Sequence, residues 1–120
     1  MIKVIVFGVI YNATLLGCYD GDTCKVKVDK FIPFQEHSLR LEGFDTPEIR
    51  GKCDEEKALA YEAKEETLKF MQKDNVVIHV SGKDKYGRLI SKVEGLGDML
   101  IEKKLARPYD GGKRQSWCNK

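Results

Sequence analysis

The chain has 120 residues, enough for one hydrophobic core, and reads as a single domain over 1–120. Hydrophobic residues make up 42% and charged residues 33% of it, which excludes a disordered chain and describes a soluble globular one. Net charge is only +2, so a polyanionic partner must be held by local patches rather than by bulk charge.

Residues 2–10 and 13–19 are rich in Val, Ile and Leu and read as β-structure. A second reading competes there. Leu15-Leu16-Gly17-Cys18 resembles a lipoprotein cleavage site, which would remove residues 1–17. The strand is preferred, because Tyr11-Asn12-Ala13-Thr14 interrupts the apolar run and cleavage would leave the following turn without a supporting strand. Gly21 turns the chain. Cys24-Lys25-Val26-Lys27-Val28-Asp29 alternates at period two, the pattern of a half-buried strand. Residues 31–36 contain Pro33 and read as a loop, and 38–43 as another strand. From 54 to about 73 the period changes: Leu59, Ala60, Ala63, Thr67, Phe70 and Met71 share one helical face, with Asp54 as the expected cap. Strands are expected at 76–81 and 89–94, a short helix at about 98–104, and a loop-like tail after Pro108. The sum is an α+β domain, a small five-stranded OB-like β-barrel with one long and one short packed helix.

Four cysteines form no Cys-x-x-Cys pair, which argues against zinc. Cys18 and Cys24 are expected as buried apolar residues. Cys53 and Cys118 lie in polar sequence, and a bond between them would tie the tail onto the loop after Glu48, in a compartment that permits it. A cytoplasmic location is slightly favoured, with secretion or a lipoprotein open.

Three charged segments carry the chemistry: Asp20-Gly21-Asp22-Thr23, Arg40 through Asp45-Thr46-Pro47-Glu48, and Asp84-Lys85-Tyr86-Gly87-Arg88. Each falls where strand-like sequence breaks into a turn. Asp22, Asp45 and the Thr46 carbonyl offer hard oxygens for calcium, the remaining positions going to water and a substrate phosphate. Glu48, stiffened by Pro47, could orient or deprotonate a water. Arg40 and Arg88 suit a phosphate whose charge grows in the transition state. Along a regular strand Arg40 and Asp45 would face opposite ways, but Gly43 could allow a bulge. Lys83 and Lys85 could meet phosphates, and Tyr86 or Tyr109 could stack on a base. Arg107, Lys113 and Arg114 read as a solvated basic tail, and Trp117 as packing on the barrel. Taken singly, Asp20-Gly21-Asp22 could be no more than an Asx turn.

In type, order and approximate spacing these segments resemble the staphylococcal nuclease (thermonuclease) family, over about residues 13–110. Residues 51–53 and 109–117 are similar to a bacterial and phage branch. The C-terminal helix of the best-known member is replaced here by a short tail, 111–120. The resemblance implies an OB-like barrel and a calcium-dependent endonuclease acting on DNA and RNA, leaving 3′-phosphates. It implies Asp22, Asp45 and Thr46 as metal ligands and Glu48 as the base acting through water. Arg40 and Arg88 would hold the scissile phosphate, with Lys85 and Tyr86 beside the nucleotide phosphate. A monomer is expected. The rival is a non-catalytic nucleic-acid-binding barrel, which would lack at least one of Arg40, Glu48 and Arg88.

Overall fold

The computed structural model describes residues 2–30 and 36–118. In chain order the elements are β1 (Ile2–Val6), β2 (Val9–Asp20), β3 (Thr23–Val28), β4 (Glu36–Leu41), β5 (Phe44–Asp45), α1 (Asp54–Met71), β6 (Val76–Lys83), β7 (Leu89–Val93), α2 (Leu96–Glu102) and β8 (Arg107–Pro108). Six strands close a barrel in the order β1-β2-β3-β4-β7-β6, while β5 and β8 form a separate two-stranded pair. The OB-like α+β architecture is as expected, with one more barrel strand. The apolar segment 2–10 is broken at Phe7-Gly8, where both residues take left-handed backbone (φ 48° and 79°). That two-residue turn lets Val6 pair with Val9, the geometry that matches strand twist. β1 then runs parallel to β6 from Ile2 opposite Val76 and seals the barrel. Residues 2–17 are thus barrel wall, as the strand reading requires. Of the loop expected at 31–36, residues 31–35 lie outside the described residues, and Glu36 already belongs to β4.

Alternation in β3 buries Cys24, Val26 and Val28. They meet Val4, Leu39, Leu41 and Ile78 in the barrel and Leu96 and Leu100 of α2 in one core. Helix α1 presents Ala60, Ala63, Thr67 and Met71 inward, three or four residues apart as one helical face demands. Its cap is Cys53 rather than Asp54: the Glu56 amide donates to Cys53 Sγ at 3.4 Å.

Cys18 and Cys24 depart from expectation, whereas the bond considered between Cys53 and Cys118 is present. Cys18 and Cys24 sit directly opposite each other across β2 and β3 and are bonded, as well as buried. Their side chains leave the sheet on the same face, which period-two sequence alone does not reveal. Cys53 and Cys118 are also bonded, 65 residues apart in sequence. In the chain-entropy account, closing a loop of that size stabilises the fold by about 4 kcal/mol.

One contact fixes how α1 meets the barrel rim. Thr67 Oγ1, fully buried, donates to the Gly21 carbonyl at 2.8 Å. A Cβ on Gly21 would stand 2.9 Å from both Ala63 Cβ and Thr46 Cγ2, so only glycine fits the junction of helix, turn and following loop. Thr67→Val keeps the shape but strands a buried carbonyl, and should cost about 1–3 kcal/mol in urea unfolding, with Thr67→Ser losing less. Equal stability of the valine variant and wild type would show that the bond carries no weight.

Candidate active site

The turn joining β2 and β3 holds the first acidic segment. Asp20 Oδ1 accepts from the Asp22 amide at 3.3 Å, an Asx-type closure. Thr23 Oγ1 donates to Asp22 Oδ1 at 3.3 Å. The other Asp22 oxygen lies 3.2 Å from Arg40 Nη1. Register explains that pair, since Thr23 is opposite Arg40 across β3 and β4. Asp20 and Asp22 are 7% and 6% exposed, so they share a poorly solvated space. Burial pushes the Asp20 carboxyl up to about 7, and the hydrogen bond and charge of Asp22 act in the same direction.

The chain leaves β4 at Leu41 and turns at Gly43, whose φ is +95°. This break, rather than a bulge, resolves the odd spacing of Arg40 and Asp45. Asp45 belongs to the separate β5, opposite Arg107 of β8. Thr46 and Pro47 follow, both buried. Thr46 Oγ1 is itself buried with no hydrogen-bond partner among the described residues.

The loop beyond is held by an acid of the first turn of α1. Glu56, 7% exposed, accepts from the Glu48 amide at 3.1 Å and from the Lys52 amide at 3.0 Å. Gly51 is required there, because a Cβ would lie 2.5 Å from Glu56 Cγ. The sequence signal was its place three residues after the cap, where a carboxylate can reach back to the preceding backbone amides. Cys53, Glu56 and Cys118 also bring three ligating atoms within 4.8 Å. The two sulfurs are bonded to each other, however, and the carboxylate already serves two amides.

Arg88 is set by the hairpin between β6 and β7. Asp84 Oδ1 accepts from the amides of Tyr86 and Arg88, each at 2.9 Å, and Oδ2 accepts from Arg88 Nε at 2.7 Å. Arg40, Lys85, Tyr86, Arg88 and Tyr109 line one cleft of about 910 Å³. Of the residues expected to contact phosphate or base, these five meet in one place, while Lys83 at the end of β6 does not line the cleft. The Tyr86 ring is exposed there, with Lys85 Nζ 5.3 Å and Arg88 Cζ 5.7 Å from its centre. Tyr109 is pinned by its amide to the Gly43 carbonyl at 3.1 Å and by its hydroxyl to the Gly112 carbonyl at 2.8 Å.

Glu48 does not line that cleft. It faces the tail, together with Lys52, Glu56, Arg114 and Trp117. Here the expectation of a solvated tail is corrected. Arg114 pairs with both Asp45 and Glu48, and its Nη2 lies 3.4 Å from the Thr46 carbonyl. Trp117 Nε1 approaches Asp45 Oδ2 at 3.4 Å. The Arg107 guanidinium stacks 3.7 Å over the Trp117 ring and donates to the Ser116 carbonyl at 2.9 Å. A run of basic residues betrays no such target in sequence, because the carboxylates lie 66 and 69 positions away.

The donor set fits a hard cation. Asp22, Asp45 and the Thr46 carbonyl offer only oxygen, and the turn and loop bearing them touch at Gly21 and Thr46. A positive group, the Arg114 guanidinium, already rests against Asp45 and Thr46. Barrel, acidic rim and arginine-lined cleft define an OB-like domain of the nuclease-like or nucleic-acid-binding kind. The model of the staphylococcal nuclease homologue family matches residues 38–110, more than half of the chain, and the protein belongs to that family. The match covers Arg40, Asp45, Thr46, Glu48 and Arg88, while the Asp20–Thr23 turn and the tail bearing Arg114 lie outside it. No individual curated protein matches significantly.

The raised Asp20 carboxyl makes a pH prediction. Its folded pKa, about 7, lies above the ordinary 3.8, so between these values the native protein keeps a proton that the unfolded chain has lost. The stability this group contributes is present below about pH 4 and is lost as pH rises through 7. Urea unfolding in chelator should show Asp20→Asn losing less stability than wild type between pH 4.5 and 7.5. Parallel pH profiles would rule the effect out.

Proposed function

We propose that the protein is a calcium-dependent endonuclease that hydrolyses phosphodiester bonds of DNA and RNA and leaves 3′-phosphates. The observation that carries this reading is the position of Arg40. It pairs with Asp22 at the acidic rim and also lines the cleft shared with Arg88, Lys85, Tyr86 and Tyr109. A phosphate seated on Arg40 would therefore lie between a cation site and a nucleotide-sized cleft. The monomeric state and the single domain are part of the same reading.

Asp22, Asp45 and the Thr46 carbonyl would hold the cation. When bound, calcium would neutralise phosphate charge and favour ionisation of a neighbouring water. Glu48, released from Arg114, would take the proton of the attacking water. The water oxygen would add to phosphorus as the bond to the 5′-oxygen breaks, and that oxygen would take a proton from solvent and leave as a hydroxyl. Arg40 and Arg88 would donate to the equatorial oxygens as their charge grows. Asp84 keeps the Arg88 guanidinium extended towards the cleft, which lowers the ordering cost on binding. Tyr86 and Tyr109 would stack on bases and Lys85 would meet a flanking phosphate. Two disulfides favour a compartment where thiols are not kept reduced, over the cytoplasm.

The test is cleavage of single-stranded DNA and of RNA with calcium, against a chelated control. Arg40→Ala should lower turnover by about 10²–10³-fold, and Glu48→Gln by about 10²–10⁴-fold, with both variants folded. Wild-type rates in either would overturn the role assigned to that residue. Salt-sensitive DNA binding without cleavage would favour the binding-module reading instead.

A further inference from the structure

The geometry points to Arg114 as a built-in competitor for the cation: its guanidinium, set in place by the tail, closes the acidic site until a divalent ion displaces it. The inference rests on the cation site of the preceding section and adds an autoinhibitory latch to it. Three observations carry it.

The first is which atoms are taken. Arg114 engages Asp45 Oδ1, Glu48 Oε1 and, at 3.4 Å, the Thr46 carbonyl. These are two of the three assigned ligands and the assigned base. Trp117 Nε1 approaches the remaining Asp45 oxygen at 3.4 Å, so the tail engages both. A cation of six to eight oxygens cannot use these atoms while the guanidinium does. The guanidinium also holds Glu48 Oε1, so the assigned base is engaged at the same time.

The second is how the tail is built. From Tyr109 to Cys118 it contains no helix or strand, so its order must come from side-chain anchors that offset lost chain entropy. The anchors bracket Arg114. Upstream, Tyr109 is bonded to Gly43 and Gly112. Downstream, Arg107 stacks on Trp117 and Cys118 is bonded to Cys53. Cys53 is also the cap of α1, the helix whose Glu56 holds the Glu48 amide. The tether therefore fastens the tail to the element that positions its target.

The third is the chemistry of the competitor. Guanidinium is planar, permanently charged and more weakly hydrated than an ammonium, and it bridges two carboxylates well. A divalent ion brings twice the charge and more oxygen contacts. Calcium would therefore win at sufficient concentration, and the latch sets how much is needed.

Calorimetric calcium titration of the full chain tests this without reference to activity. Wild type is compared with Arg114→Gln, with Lys113→Gln, which removes the same charge from the adjacent exposed residue, and with Cys118→Ser, which removes the tether. Removing a charge-assisted competitor should tighten the calcium Kd about tenfold or more in Arg114→Gln. Lys113→Gln should change it less than about twofold, and Cys118→Ser should fall between. The chain's one tryptophan, Trp117, reports the same event. Its emission should shift red when calcium binds wild type, and should already be red in calcium-free Arg114→Gln. Equal tightening by Lys113→Gln, or unchanged or weaker binding by Arg114→Gln, would remove the latch and leave the cation site standing. Failure of all four proteins to bind calcium would remove the cation site, and the latch with it.

Discussion

Carboxylates crowd one rim of this barrel against their mutual repulsion, and much of the structure is arranged to hold them there. Asp20, Asp22 and Asp45 are 7%, 6% and 3% exposed. A buried charge left without a partner costs several kcal/mol. Each carboxylate is compensated by a different means. Asp22 pairs with Arg40, Asp45 and Glu48 with Arg114, and Asp20 through its raised affinity for a proton. Such a rim is poised for any stronger positive charge, because every compensation is exchangeable.

Helix α1 gives the rim its precision. One face of it reaches the Asp20–Thr23 turn through Thr67 and Ala63, and its first turn holds the Glu48 loop through Glu56. Two segments that leave the same end of the antiparallel β3–β4 pair, one before β3 and one after β4, are thus referred to one rigid element. Groups placed by helices and strands keep tighter geometry than groups placed by loops alone. The glycines at 21 and 51 serve this arrangement by letting backbone approach side chains of the helix or the neighbouring loop. Arg88 is independent of it, being oriented by Asp84 within its own hairpin.

Period and turn chemistry made most of the fold legible. β3 shows its alternation, α1 its helical face, and the breaks at Gly21 and Gly43 their glycines. The first hairpin was displaced rather than hidden: the reading breaks the chain at 11–12, whereas the turn is at Phe7-Gly8, where Phe7 takes a left-handed backbone that a phenylalanine does not announce. The Cys18–Cys24 bond was hidden because it depends on cross-strand register, which the sequence leaves open. Around the cleft, Arg40 within β4 and Lys85, Tyr86, Arg88 and Tyr109 in hairpin and loop come together, as their residue types at strand ends and turns suggest. Glu56 and Arg114 were not legible, for opposite reasons. Glu56 looks like an ordinary helix-start acid, and Arg114 acts over 66 and 69 positions of sequence. Side chains that act through long loops leave no local pattern to read.

The two disulfides also imply an order of events during oxidation. Cys18 and Cys24 are 6 residues apart, on strands joined by a tight turn, and can meet as soon as that hairpin forms. Cys53 and Cys118 are 65 apart and meet only when helix, rim and tail have converged. Local loops close on a timescale of tens of nanoseconds, whereas non-local contacts wait for topology. The turn bearing Asp20 and Asp22 would be stapled while the rest of the chain is still searching, and the tail would be fastened over a rim already assembled. Within a single polypeptide, the shorter bond would act as an assembly template and the longer one as a seal.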